Sequence, residues 1–213
     1  QPELMLRRPE SLLGAGLTAL VCGPGMGSSS AALDCLLHAS ALDLPLLLDA
    51  DALNLLASES RVREALARPR PSRAPLLLSP HPAEAARLLG CTTDSVQADR
   101  GCAARELAER YQALVVVKGC GSMVASPDGR WFVNTTGNPG LATAGSGDVL
   151  SGLIVALLAQ GWPGLEALLA AVHLHGLAAD ERVASGCGAV GLTAGELLDS
   201  ARACFNRWLA RGK

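Results

Sequence analysis

The residues best suited to chemistry are Gly145, Ser146, Gly147 and Asp148, which close a glycine-rich run and open an apolar helix from Val149 to Leu158. Glycine and serine carry little or no side chain, so backbone N–H groups in this stretch can approach a ligand closely. The first turn of a helix leaves N–H groups without intrahelical partners, and the helix dipole adds positive potential at the same place. Together these form an anion hole suited to phosphate. Asp148 then sets a carboxylate where negative charge is welcome. That pairing suits removal of a proton from a substrate hydroxyl as a phosphoryl group arrives. An isolated Gly-Ser-Gly-Asp is more simply a capped helix after a flexible loop. Here Asn138-Pro139-Gly140, Ala142-Thr143-Ala144-Gly145 and Gly147-Asp148 fall within eleven residues, and a long ordered run is a stronger signal than a short one. A valine at position 147 is expected to crowd the loop and to oppose a positive φ.

Further candidates stand at the ends of short apolar runs. Leu17–Cys22 reads as a strand buried on both faces, followed by Gly23-Pro24-Gly25-Met26-Gly27 and by Ser28, Ser29 or Ser30 as a helix cap. Leu46-Leu47-Leu48 ends in Asp49 and Asp51, ahead of a helix at Ala52 to Ala57; Asp51 is the expected cap, and Asp49, Asp51 and Asn54 are site-lining candidates. Leu76-Leu77-Leu78 leads into Ser79-Pro80-His81-Pro82-Ala83-Glu84, where two prolines fix the backbone around a histidine, and Gly90 stops the helix that follows. Leu114 to Val117 leads into Lys118-Gly119-Cys120-Gly121-Ser122, a lysine at a strand end beside two glycines. This is not a P-loop, since the lysine precedes the glycines.

The elements that must position these residues alternate strand and helix, which predicts a parallel sheet covered on both faces. One helix is expected over Asp94–Gln112, a hairpin turns at Ser126-Pro127-Asp128-Gly129-Arg130, and two long helices follow at Leu165–Ser185 and Thr193–Ala210. Thr193 and Glu196 have the spacing of a capping box. His173 and His175, two apart on a helix, point to different faces and read as structural.

Composition narrows the function classes. The 213 residues are 49% hydrophobic and 18% charged, a globular composition without a disorder signature. A net charge of −2 and 3% aromatics argue against nucleic acid. No apolar run is long enough for a membrane span and no signal peptide opens the chain, so a cytoplasmic protein is expected. The seven cysteines form no Cys-x-x-Cys and read as buried, reduced thiols.

Residues 138–152, Asn-Pro-Gly-Leu-Ala-Thr-Ala-Gly-Ser-Gly-Asp-Val-Leu-Ser-Gly, resemble the signature run of the ADP- or ATP-dependent NAD(P)H-hydrate dehydratases of the ribokinase-like superfamily. The Gly23 loop, the Asp49 strand end, the Pro80-His81 segment and the Lys118 loop match that family in order. The resemblance implies a three-layer αβα ribokinase-like fold with a mostly parallel central sheet in one domain, 1–213. It also implies that the chain, opening at Gln1, lacks roughly the first quarter of that domain. It assigns Asp148 as the catalytic base and Gly145, Ser146 and Gly147 as the anion hole. Gly27, His81, Asn138 and Asp148 would meet the hydrated nicotinamide substrate. Lys118, Gly119, Cys120, Gly121, Ser122 and Gly147 would hold the nucleotide, and Glu84 would lie near magnesium. ADP or ATP as co-substrate, Mg2+, a homo-oligomer and a fused or partner NAD(P)H-hydrate epimerase complete what it implies. Ala83 stands where the family often has glycine. Two alternatives stay open: a kinase of the same fold acting on a thiazole or pyrimidine alcohol, and a nucleotide-binding module without catalysis.

Overall fold

The computed structural model of the chain describes residues 5–9 and 16–211; Gln1 to Leu4, where the resemblance begins, lie outside them. A six-stranded sheet runs in chain order, β1 (Leu20–Cys22), β2 (Leu46–Leu48), β3 (Leu76–Leu78), β4 (Leu114–Val117), β5 (Met123–Ala125) and β6 (Trp131–Val133). The first four are parallel and the last two antiparallel. The parallel part is joined by helices α1 (Ser30–Ser40), α2 (Ala50–Ser58), α3 (Ser60–Leu66), α4 (Pro82–Leu89), α5 (Thr93–Ala98) and α6 (Arg100–Tyr111). A short 3-10 turn (Pro139–Leu141) precedes α7 (Ser146–Ala159), α8 (Gly164–Ala184) and α9 (Ala194–Arg211).

The all-leucine strands explain the layering. Neighbouring side chains on a strand point to opposite faces. Leu46, Leu48, Leu76 and Leu78 therefore enter one core with α1 to α6, while Leu47 and Leu77 enter the other with α7 and α8. Each leucine so buried contributes on the order of 1.5–3 kcal/mol. A third cluster joins α8 to α9 through Leu174, Leu197 and Cys204.

Several expectations need correction. Strand β1 is shorter than the apolar run, and Val21 is 38% exposed rather than buried. It pairs with Leu47 from the edge strand of the sheet, which has a neighbouring strand on one side only among the described residues. The helix expected over 94–112 is two helices, because Asp99 leaves helical geometry and caps the second through Cys102 N–H at 2.7 Å. Asp49, not Asp51, caps α2, accepting from Ala50 N–H at 2.9 Å. The Thr193–Glu196 capping box is half formed: Glu196 accepts from Thr193 N–H at 2.9 Å, while the Thr193 hydroxyl donates to the same carboxylate at 2.9 Å instead of accepting from the helix. Only Cys22 and Cys204 among the cysteines are buried, and Cys91, Cys102, Cys120 and Cys187 are exposed.

Candidate active site at the carboxyl ends of the strands

Open α/β sheets bind ligands beyond the carboxyl ends of their strands. Here that rim is built from five segments: the Gly23–Gly27 turn after β1, Asp49 to Asp51 after β2, Ser79 to His81 after β3, Lys118 to Ser122 after β4, and the start of α7. The turn after β1 needs its glycine for space, since a Cβ on Gly23 would stand 1.7 Å from the carbonyl oxygen of Asp49. Gly27, with φ 71°, donates its N–H to Asp51 Oδ2 at 2.8 Å. The first-turn carboxylate of α2 therefore fastens the neighbouring loop instead of capping its own helix.

Asp49 is the hub. Its side chain is 2% exposed. Oδ1 accepts from Lys118 Nζ at 2.8 Å and Oδ2 accepts from the Ser151 hydroxyl at 2.7 Å. A buried carboxylate requires such partners. Ser151 is a buried polar residue on the otherwise apolar face of α7, so this bond ties α7 to the rim. A Cβ on Gly147 would lie 3.4 Å from Lys118 Nζ. The lysine thus stands against the first turn of α7.

That first turn has open donors. Gly145 takes φ 82° as the cap residue, a conformation glycine adopts without strain. The N–H groups of Gly145, Gly147 and Asp148 donate to no acceptor among the described residues, whereas Ser146 N–H is turned to Thr143 O at 3.3 Å. Ser146 is buried, with its hydroxyl 3.2 Å from His175 Nε2. His175 reaches it from α8, and burial pushes its imidazole down to about 4, with Lys118 adding to that push against the bond to Ser146. It is neutral near pH 7. Asp148 is exposed and makes no hydrogen bond or ion pair among the described residues. The positive φ expected at Gly147 belongs to Gly145; Gly147 lies inside the helical turn, and what it supplies is room beside Lys118.

The preceding loop is clamped to α8. Asp180 accepts from Gly137 N–H at 2.8 Å and from Asn138 Nδ2 at 3.0 Å, and Asn138 Oδ1 accepts from Gly140 N–H at 3.0 Å. Both ends of the Asn138 side chain are therefore engaged in shaping the loop. Gly176 lets α8 pass close below, because a Cβ there would meet Thr136 Oγ1 at 2.3 Å.

The other expected contacts lie around this centre. His81 caps α4: its Nδ1 accepts from Ala83 N–H at 3.1 Å and Glu84 N–H at 3.3 Å. Glu84 Oε2 accepts from His81 N–H at 2.8 Å and Oε1 stands 3.2 Å from His81 Nε2. Each Glu84 oxygen thus faces His81, which fixes the carboxylate at the start of α4. Among the described residues no three His, Cys, Asp or Glu side chains gather as a metal set. In the Lys118 loop, Ser122 Oγ donates to Gly119 O at 3.0 Å, and the Arg100 guanidinium donates to the carbonyls of Cys120 and Gly121. Asn54 accepts from Arg87 at 3.1 Å, which takes its side chain out of the cluster. The roles of Ser151, His175 and Asp180 escaped the sequence reading. Only Ser151, a hydroxyl on an apolar helix, gave a local signal.

The layers and the open helix start facing the strand ends define the class: this is a ribokinase-like α/β fold, shared with solved ribokinase-like proteins. The profile of the NAD(P)H-hydrate dehydratase family matches residues 7–201, and the chain belongs to that family. It is similar to the ADP-dependent (S)-NAD(P)H-hydrate dehydratase of Neisseria meningitidis serogroup B (strain ATCC BAA-335 / MC58), 49% identical over 97% of this chain and 69% of the relative. It is also similar to the bifunctional NAD(P)H-hydrate repair enzyme of Moorella thermoacetica (strain ATCC 39073 / JCM 9320), 44% identical over 87% of this chain, which spans 34% of that relative's length. The Bacillus subtilis ADP/ATP-dependent NAD(P)H-hydrate dehydratase, co-crystallised with ATP/Mg2+ and soaked with CoA, superposes with a TM-score of 0.81 at 32% identity, over 97% of this chain and 74% of that one. Among the described residues no helix is long and apolar enough to cross a membrane.

Proposed function

We propose that the chain carries out ADP-dependent dehydration of hydrated NAD(P)H, restoring NAD(P)H. The observation that carries this reading is the meeting of Lys118, the open N–H groups of Gly145, Gly147 and Asp148, and the unpartnered Asp148 carboxylate at one helix start. Family membership supplies the substrate class.

The hydrate bears its hydroxyl on a carbon bonded to the ring nitrogen. Hydroxide leaves poorly and phosphate leaves well. Asp148 accepts the hydroxyl proton while the oxygen attacks the terminal phosphorus of ADP; the bond to the bridging oxygen breaks and AMP departs. The helix-start N–H groups and Lys118 meet the charge of the group in transfer. The nitrogen lone pair then expels phosphate, the neighbouring ring carbon loses a proton, and the dihydronicotinamide double bond returns. Magnesium would be brought by the nucleotide and would offset the charge of its phosphates; the chain's own groups do the positioning. In this reading Gly27 and His81 border the nicotinamide, the Lys118–Ser122 loop borders the nucleotide, and Asn138 shapes the loop between them.

The test is a product balance. ADP and hydrated NAD(P)H should give AMP, inorganic phosphate and dihydronicotinamide absorbance in equal amounts. A lasting phosphoester from a thiazole or pyrimidine alcohol, with no return of that absorbance, would make the chain a kinase. ADP affinity without turnover would make it a binding module.

A further inference from the structure

At the opposite end of the sheet, where β3 begins at Leu76 and β4 at Leu114, the structure holds a cavity of about 940 Å3. That is within the roughly 300–1,000 Å3 typical of ligand sites. It lies between the ends of α3, α4 and α6 and the segment 67–75. Arg63, Arg68, Arg70, Arg87 and Arg110 line it together with Tyr111, and among the described residues no Asp or Glu does.

Individually some of these arginines have structural work. Arg63 donates to the carbonyls of Leu56 at 3.1 Å and Ala57 at 2.7 Å, and Arg110 to Leu88 O at 2.9 Å. Arg68 and Arg70 converge on Ser40 O at 3.2 and 3.1 Å; Arg68 also donates to Ala65 O at 3.3 Å, and Arg70 to the carbonyls of Ala74, Leu42 and Leu44 at 2.9, 3.0 and 2.6 Å, so Arg70 is taken up in holding the segment 40–44 to 74. Carbonyls satisfy N–H groups but cancel no net charge. Of the five, only Arg110 has a carboxylate within ion-pair distance among the described residues, the exposed Glu106 at 2.7 Å. Asp43 acts on Arg70 as a more distant charge; burial still pushes the Arg70 guanidinium down, and Arg68 adds to that. Like charges gathered with few counter-charges repel one another, and structural capping alone does not require five cations around one space. A guanidinium fork fits phosphate, and Tyr111 offers an aromatic wall on which an apolar body can rest.

We propose that this cavity is a second ligand site, separate from the Asp148 site, which takes a small phosphate-bearing anion with an apolar body, the phosphate against Arg68 and Arg87 and the body against Tyr111.

Tyr111 is the only tyrosine in the chain, so 3-fluorotyrosine places a single fluorine signal in the cavity. Inorganic pyrophosphate and AMP are titrated separately into the labelled full chain. The proposal predicts a saturable shift of that signal with both probes, with AMP binding more tightly than pyrophosphate. The shift persists in Gly147→Val, which obstructs the other site. It weakens on the order of tenfold or more in the Arg68→Gln/Arg87→Gln double variant and is largely retained in the matching lysine variant. If the double variant fails to fold, Arg87→Gln alone decides, since among the described residues that side chain donates only to Asn54. A signal unmoved by either probe, a shift indifferent to the glutamines, or one lost in Gly147→Val overturns the second site. A shift with pyrophosphate alone overturns the apolar body.

Discussion

Lys118 Nζ sits 2.8 Å from Oδ1 of Asp49, joining the carboxyl end of β4 to that of β2 directly beside the start of α7. Asp49 is nearly sealed from solvent and Lys118 is 21% exposed, so the lysine is the member that can also face a ligand. Removing it by Lys118→Met leaves a buried carboxylate with only Ser151 and the Ala50 N–H as partners. The expected cost is about 3 kcal/mol, the low end for a broken buried pair because of the lysine's partial exposure. Asp49→Asn in the same chain should return part of it. Urea denaturation of both single variants and the double variant measures this, and an unchanged midpoint for Lys118→Met would remove the pair from the account. The same variant should bind ADP more weakly.

Gly147→Val should weaken ADP binding strongly through bulk, with the backbone conformation retained. The valine methyls would enter the space between the helix turn and Lys118, where even a Cβ stands 3.4 Å from Nζ. Gly145→Ala should act differently, straining a residue at φ 82° and lowering stability by about 1 kcal/mol. Calorimetry with ADP and thermal melts separate the two effects. Equal loss of affinity without any stability difference would contradict the distinction.

His175 gives the site a pH signature. Above pH 6.5 the imidazole is neutral in both folded and unfolded chains. As pH falls from 6.5 toward 4, the unfolded chain takes up a proton that the buried ring refuses, so stability declines; below about 4 both states are protonated and the decline levels off. The full loss is of order 3 kcal/mol. His175→Gln keeps a polar group near Ser146 and should flatten the profile over that window. Denaturation midpoints at several pH values check it, and an equally steep fall in the glutamine variant would exclude His175 as its source.

Asp148→Asn should leave ADP affinity nearly intact and lower turnover by on the order of a hundred- to ten-thousand-fold. The amide keeps the size of the side chain and loses the base. Since the carboxylate holds nothing else in place among the described residues, folding should be unaffected. Most of the wild-type kcat surviving in this variant would remove Asp148 as the base.

Much of this was readable from the chain. The leucine triplets announced buried strands, the strand–helix alternation announced the parallel sheet, and the Gly145–Asp148 run announced an anion-seeking helix start. What stayed hidden depends on contacts across long separations. His175 reads as an ordinary helical residue until α8 packs beneath Ser146. Asp180 gives no hint that it holds Gly137 and Asn138. Asp51 was the expected cap, and only the approach of Lys118 and Gly27 shows that Asp49 caps the helix while Asp51 holds the loop. Exposure was the other gap: a cysteine's surroundings are set by packing, and the sequence alone does not tell Cys120 in a loop from Cys204 in a core.

The central claim is that phosphorylation of the hydroxyl precedes loss of the oxygen, and isotope placement tests it most directly. Hydrated NADPH bearing 18O in its hydroxyl is turned over with ADP by the full chain, and the released phosphate is analysed by mass. The account predicts one 18O atom in each phosphate and none released to water. The 18O appearing in water, with unlabelled phosphate formed alongside, would mean that hydroxide leaves directly and ADP is merely hydrolysed, which would contradict the roles given to Asp148 and the helix start.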